Sequence, residues 1–214
     1  MSRSPRRMPA LPVTLVLGLL ILMACTPATT TARSAPESVG YRSGLSPAKP
    51  YVMPDVTLTD GTGRPYNLVA SPSKPVTLLF FGYTHCPDVC ITVLADVASA
   101  LSRVDASARS QIQVVFVTTD PSRDTAKRIR TYLDRFDPSF IGLTGDIATI
   151  KKAAGRVGVE MEGRKKLPSG GYEVGHGAQV IGFDKSRQGV VLWTPSTPIA
   201  DLMSDFTLLV DKQR

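Results

Sequence analysis

The segment that most constrains the fold is a continuous apolar run, Val76–Phe81, which leads into two cysteines at C-x-x-x-C spacing. Such a run is typical of a central strand that is covered on both faces. Apolar residues then recur at helical spacing from about Val89 to Val104. The pattern therefore predicts that Cys86 lies close to the start of a helix. Cys90, one helical turn further on, can face the same way.

Strand and helix signals alternate along the rest of the chain. An opening hairpin is indicated by two short apolar segments around Asp60–Gly63, which has the composition of a turn. The other predicted elements are strands at 112–117, around His176, at 180–183 and at 190–193, and helices at 123–136, 147–157 and 199–210. This order predicts an α/β protein with a thioredoxin-like fold. We expect a central mixed sheet flanked by helices, an N-terminal hairpin and a hairpin inserted before the last strands.

The residues suited to soft-metal or thiol chemistry are few, since the chain has three cysteines and two histidines. Two thiolates, Cys86 and Cys90, and the imidazole of His176 make a good donor set for copper. Unpaired N–H groups at a helix start favour the thiolate form of a nearby cysteine. The two sulfurs can bind one soft ion or close a reversible disulfide, but not both at once. A purely structural disulfide is the simpler alternative, although so small a loop gains little chain entropy.

The N-terminal segment has the composition of a secretory signal. Its basic start is followed by a short apolar core that ends at Cys25. The sequence before Cys25 resembles a bacterial lipobox, so we predict a lipoprotein signal at 1–24 and lipidation of Cys25. An uncleaved anchor helix is the alternative. Small polar residues predict a flexible tether at 25–50, and 51–214 is the expected folded domain. The mature protein is then extracytoplasmic and anchored to the cell membrane by its lipid.

The charge of the chain says little in favour of a nucleic-acid partner. Its formal value of +7 falls to +4 once Arg3, Arg6 and Arg7 of the predicted signal are removed. A mildly basic domain of this kind has no strong electrostatic attraction to nucleic acid. We therefore predict no nucleic-acid partner.

Four segments in the same order resemble the Sco/SenC copper proteins, named for synthesis of cytochrome c oxidase. The resemblance covers about Pro54 to Val210. The segments are Phe81–Cys90, Thr119–Thr125 (a D-P-x-R-D-T pattern), Phe140–Gly145 (F-x-x-L-T-G) and Tyr172–His176.

The resemblance implies a thioredoxin fold that binds a single copper ion, as Cu(I) or Cu(II). The ligands that it carries over are Cys86, Cys90 and His176. Family members help to assemble the copper A centre of cytochrome c oxidase, so the implied partner is subunit II of the oxidase or another copper protein. We expect the chain to act as a monomer.

This chain departs from the family pattern at three positions. Ile91 follows the second cysteine where the family usually has proline, and Gly175 and Gly177 flank the histidine where aspartate and serine are usual. Two glycines raise the entropy cost of fixing the imidazole, so copper affinity is expected to be lower than is usual for the family.

Two functions remain open at this point. One is copper binding and delivery, and the other is a thiol–disulfide oxidoreductase that uses Cys86 and Cys90 as a redox-active pair to reduce the cysteines of a copper-receiving partner. His176 favours copper, because disulfide exchange needs only the two cysteines. The spacing points the same way, since dedicated thioredoxin-type catalysts usually have C-x-x-C.

Overall fold

The computed structural model describes residues 40–168 and 170–213, which form one mixed sheet, a small second sheet and the helices around them. The helices are α1 Val89–Arg103, α2 Ala106–Ser110, α3 Ala126–Leu133, α4 Ile147–Arg156 and α5 Ile199–Asp211. The strands are β1 Tyr51–Val52, β2 Thr57–Asp60, β3 Pro65–Asn67, β4 Val76–Gly82, β5 Ile112–Thr118, β6 Ile141–Thr144, β7 Met161–Lys166, β8 Tyr172–His176, β9 Val180–Phe183 and β10 Gln188–Trp193. The main sheet has the order β1-β10-β9-β4-β5-β6-β2-β3, and β7 pairs with β8 alone.

The centre of the main sheet has a thioredoxin-like arrangement, as predicted. Strand β4 is parallel to β5, and β5 is parallel to β6. Strand β9 is antiparallel to β4, and β10 is antiparallel to β9. The parallel pair is connected through α1, whereas β9 and β10 form the terminal hairpin before α5. The N-terminal hairpin is β2–β3, and the inserted hairpin is β7–β8.

The core lies on both faces of β4, which is buried along its whole length. Because successive side chains of a strand point to opposite faces, Leu78 and Phe80 pack with α1, α3 and α5. Leu79 and Phe81 pack on the other face with α4 and the β2–β3 hairpin. This two-sided burial explains why the strand has no alternation of polar and apolar residues.

Most predicted elements are confirmed, with one helix that is shorter than expected. Helix α3 begins at Ala126 and not near Arg123, because the side chain of Thr125 caps it by accepting from the N–H of Arg128. Three elements were not predicted: β1, α2 and β6. Among the described residues no helix is both long enough and apolar enough to cross a bilayer. The predicted signal at 1–24 and Cys25 lie outside the described residues.

The start of the described region is held to α5 by a buried carboxylate. Asp205 accepts hydrogen bonds from the backbone N–H groups of Arg42, Ser43 and Gly44 and from Nε1 of Trp193. A backbone bridge between Leu45 and Leu192 continues this contact. Residues 42–45, which the sequence assigned to the tether, therefore pack against the domain in the structure.

We expect Asp205→Asn to lower the free energy of unfolding by about 2 kcal/mol, because one acceptor oxygen is replaced by an amide donor among buried N–H groups. Urea unfolding followed by the fluorescence of Trp193 measures this change. Asp105→Asn is the matched control, since Asp105 is exposed and its side chain makes no capping hydrogen bond. An equal loss in both variants contradicts the role of Asp205.

Candidate metal centre

The two cysteines lie where β4 leads into α1. Cys86 is in the loop, and Cys90 is in the first turn of α1. Both are buried, with 5% of Cys86 and 0% of Cys90 exposed, and no disulfide joins them. Gly82 allows this close packing, because a Cβ on it would lie 3.2 Å from the sulfur of Cys90 and 3.0 Å from the Phe116 ring.

The start of α1 stabilises a thiolate on Cys86. The sulfur of Cys86 accepts a hydrogen bond from the backbone N–H of Cys90 at 3.4 Å. The pKa of Cys86 is lowered to about 6, chiefly by a hydrogen bond from the Cys90 thiol. Burial raises this pKa, whereas the backbone N–H groups and His176 lower it further. The same hydrogen bond, together with burial, raises the pKa of Cys90 well above its ordinary value. At neutral pH the pair therefore holds one thiolate and one thiol.

His176 is the last residue of β8, and its ring faces the cysteines. Its Nε2 lies 3.6 Å from the sulfur of Cys90. Its Nδ1 lies 2.9 Å from the carbonyl oxygen of Gly177, and a carbonyl can only accept, so Nδ1 carries the proton. Nε2 is the ring nitrogen that faces the sulfur. The ring of Tyr83 packs edge-on against the imidazole at 5.8 Å between centroids.

The β7–β8 hairpin is fixed to the rest of the domain by a group that we call the Asp120 cluster: Asp120, Ser122, Arg123, Arg164 and Tyr172. Asp120 is 2% exposed and lies just after β5. Its carboxylate accepts from Tyr172 at 3.0 Å and from Arg164 at 3.2 Å, and also from Ser122 and Arg123. Burial would raise the pKa of Asp120, but these hydrogen bonds hold it below its ordinary value.

Stacking strengthens the same connection. The guanidinium of Arg123 lies 3.6 Å from the ring centroid of Tyr172, and that of Arg164 lies 4.6 Å from it. Arg123 also donates to the backbone oxygen of Tyr172 at 3.1 Å. Because Tyr172 begins the strand that ends in His176, the cluster determines where the imidazole lies.

His85, the other histidine, makes its contacts away from the sulfurs of Cys86 and Cys90. Its Nδ1 lies 3.2 Å from the hydroxyl of Thr84 and 3.6 Å from a carboxylate oxygen of Asp124, and its Nε2 lies 3.3 Å from Arg128. Asp124 itself accepts from the N–H and hydroxyl of Thr84 at 2.9 and 2.6 Å, which holds the loop before Cys86. A role as a loop histidine is consistent with these contacts.

The structure thus brings together the three residues that the sequence proposed as ligands. Within residues 40–168 and 170–213, however, no three His, Cys, Asp or Glu side chains stand in a ready-made metal-binding cluster. The sequence reasoning missed Tyr83 and the cluster partners Arg164 and Tyr172. Their signal was the placement of aromatic and arginine residues on the segments flanking Cys86 and His176.

The donor set fits a soft monovalent or divalent copper ion. Two sulfurs and one imidazole match the preference of copper, and one sulfur is already a thiolate. A cleft of about 260 Å³ borders Cys86 and His176 and also contains the carboxylates of Asp88 and Glu173. These acidic groups favour a cation at the mouth of the site.

The glycines that flank His176 are not required by the backbone. Neither Gly175 nor Gly177 has a positive φ. A Cβ on Gly175 would lie 2.8 Å from the carboxylate of Glu162, and one on Gly177 would lie 2.6 Å from the side-chain oxygen of Gln179. The neighbour of Gly177 is the end of a flexible side chain that can shift, whereas at Gly175 the Cβ of Glu162 would lie 3.0 Å away and leave a larger residue little room.

Comparison with known proteins identifies the family. The SCO1/SenC family model matches residues 46–211. The chain belongs to the SCO1/SenC family. A Stutzerimonas stutzeri relative named "Putative copper-binding protein" is 32% identical over 180 residues, which cover 82% of this chain and 86% of that protein.

Two further members of the SCO1/SenC family show how the likeness is distributed. The mitochondrial SCO1 homolog 1 of Arabidopsis thaliana is 36% identical over 101 residues, covering 43% of this chain but only 30% of that longer protein. The structure of Bradyrhizobium japonicum ScoI with copper bound superimposes with a TM-score of 0.62 at 29% identity, covering 77% of this chain and 99% of that chain. The likeness in structure therefore extends over the whole domain.

We expect the reduced, copper-free protein to show one thiolate that titrates near pH 6. Ultraviolet thiolate absorbance should rise as the pH increases through about 6, since Cys86 loses its proton there. Cys90→Ala removes the thiol that donates to Cys86 and should move this midpoint upward. Ser102→Ala, an exposed change further along α1, serves as the control. An unchanged midpoint in Cys90→Ala contradicts the assigned hydrogen bond.

Proposed function

We propose that this chain binds one copper ion through Cys86, Cys90 and His176 and assists assembly of the copper A centre of cytochrome c oxidase. The observation that carries the proposal is the 3.6 Å approach of His176 Nε2 to the sulfur of Cys90. Disulfide exchange has no need of an imidazole in this place. The copper-bound relative and the composition of the donor set support the same proposal.

Each of the three residues has a distinct part in binding. Cys86 offers a thiolate without first losing a proton at neutral pH. Cys90 must lose its proton, so metal binding releases one proton to solvent or to a nearby base. The Nδ1 proton of His176 is held by the carbonyl of Gly177, which leaves Nε2 free to ligate.

Copper is cargo in this proposal and leaves by ligand exchange. The cleft beside Cys86 and His176 is open to solvent on one side, so a partner's thiolate or imidazole can approach the same ion. Subunit II of the oxidase, or another copper protein, is the proposed recipient. The protein itself acts as a monomer.

We further propose that Cys25 carries lipid and that the domain works on the extracytoplasmic side of the membrane. This rests on the basic and apolar segment that ends at Cys25. Cells grown with labelled palmitate should label the wild-type chain, whereas Cys25→Ser should remain unlabelled and leave the membrane fraction. Labelling of the variant contradicts lipidation at this residue.

A thiol–disulfide reductase is the second candidate, and the lowered pKa of Cys86 favours it. In that reaction the Cys86 thiolate attacks a partner disulfide and releases one partner thiolate. Cys90, after losing its proton, then attacks the mixed disulfide and releases the second thiolate. The partner is reduced, and Cys86 and Cys90 are joined as a disulfide.

Copper titration of the reduced full chain distinguishes the two candidates. We expect one copper ion per chain in the wild type and loss of stable binding in Cys86→Ser. In His176→Ala the Cu(II) absorption and electron paramagnetic resonance spectra should change and affinity should fall by at least about tenfold, since one of three ligands is lost.

His85→Ala is the matched control, because it removes the histidine whose contacts lie away from the sulfurs. Its Cu(II) spectra should equal those of the wild type. Identical spectra in His176→Ala and the wild type would remove His176 as a ligand. If both histidine variants also reduce a disulfide substrate at the wild-type rate, the reductase becomes the better account.

A further inference from the structure

A second concave surface lies beside the loop that leads to Cys86, and we call it the basic pocket. It has a volume of about 460 Å³, and three cationic side chains, Lys127, Arg128 and Arg135, line it. Three threonines, Thr84 among them, and Tyr132 complete the lining, which contains no acidic residue. The pocket is therefore positively charged and rich in hydrogen-bond donors.

These positive charges are not neutralised by neighbouring carboxylates. In the part of the chain that the structure describes, no ion pair joins Lys127, Arg128 or Arg135 to an acidic side chain. The adjacent Asp134 pairs with Arg130 at 2.8 Å instead. The field of the three cations consequently extends into the pocket.

The buried carboxylate nearest the loop, Asp124, makes no ion pair with any of these three cations among the described residues. Asp124 is fully buried and accepts from the N–H and hydroxyl of Thr84 and, at 2.7 Å, from the hydroxyl of Thr118. His85 adds a further contact at 3.6 Å. Its oxygens are thus occupied by the loop and by β5.

The lining also contains a buried donor without an acceptor. Tyr132 is only 6% exposed, and among the described residues its hydroxyl has no hydrogen-bond partner. Burial raises the pKa of Tyr132, so the hydroxyl keeps its proton. A buried hydroxyl that lacks a partner is costly, but this one is closed off from solvent and is not among the groups that a docked segment contacts.

The basic pocket is close to the cysteines but separate from the metal-donor cleft. Thr84 lines the pocket and precedes Cys86 by two residues, which span at most roughly 7 Å of extended backbone. The preceding residue, Tyr83, lines the cleft on the other side of the loop, where Asp88 and Glu173 are acidic. A molecule seated in the pocket is thus held beside the sulfurs without covering them.

We propose that the basic pocket docks an acidic segment of the protein that exchanges copper or electrons with Cys86 and Cys90. Aspartate and glutamate side chains of that segment pair with Lys127, Arg128 and Arg135. The acidic mouth of the cleft repels the same segment, so the two surfaces orient the partner with its metal-binding residues towards the cysteines. That the partner exchanges copper or electrons rests on the proposed function, whereas the preference of the pocket for anions does not.

Binding of a fluorescent hexaglutamate peptide to the reduced full chain in detergent tests the pocket directly. We expect the double variant R128Q/R135Q to weaken this binding by about tenfold at low salt. The control R103Q/R156Q removes two exposed arginines from the ends of α1 and α4, so its net charge equals that of R128Q/R135Q. It should bind the peptide as the wild type does. Equal weakening in both variants, or in neither, overturns the proposal.

A second measurement follows association of the copper-loaded chain with the soluble domain of oxidase subunit II from the same organism. R128Q/R135Q should lower the association rate by about tenfold, with hexaglutamate competing, while copper stoichiometry stays at the wild-type value. If the wild type does not bind copper or this domain, the proposed function fails and the peptide measurement alone decides the pocket. Vesicles of anionic lipid that bind through the pocket in place of hexaglutamate would overturn it in favour of a membrane contact.

Discussion

The site depends on the hydrogen bonds that Cys86 receives at the start of α1. The backbone N–H of Cys90 donates to its sulfur, and the Cys90 side chain lowers its pKa further, so Cys86 ionises first while Cys90 keeps its proton. This asymmetry exists because β4 ends at Gly82, where the absence of a side chain lets Cys90 pack against the strand. In the proposed copper site, the thiolate at a buried helix start is the soft ligand and the nearby imidazole is the third donor.

The imidazole reaches the sulfurs through long-range packing. His176 lies on a two-stranded sheet that is separate from the main sheet, and the Asp120 cluster holds that hairpin against the end of β5. Tyr172 is stacked by two guanidinium groups and hydrogen-bonded to a buried carboxylate. The two glycines around His176 leave its own segment permissive, so this anchoring four residues earlier compensates for part of their conformational freedom.

The sequence predicted the buried centre of the fold better than its edges. Strand β4 was evident from its unbroken apolar run, and the C-x-x-x-C spacing pointed correctly to the start of α1. Strand β6 was missed because Ile141–Thr144 is short and contains a glycine. Arg164 lies in β7 and contacts Asp120, although the two residues are 44 positions apart along the chain. The charge pattern of the sequence does not indicate that Arg164 and Asp120 are close in space.

In the proposed site, two sulfurs and one distant imidazole share a single copper ion. X-ray absorption spectroscopy of the full chain loaded with one equivalent of Cu(I) tests it most directly, since sulfur and imidazole scatterers have different signatures. We expect two sulfur neighbours and one imidazole nitrogen in the wild type, with the imidazole signal lost in His176→Ala and kept in His85→Ala. A wild-type spectrum with sulfur neighbours alone would contradict it.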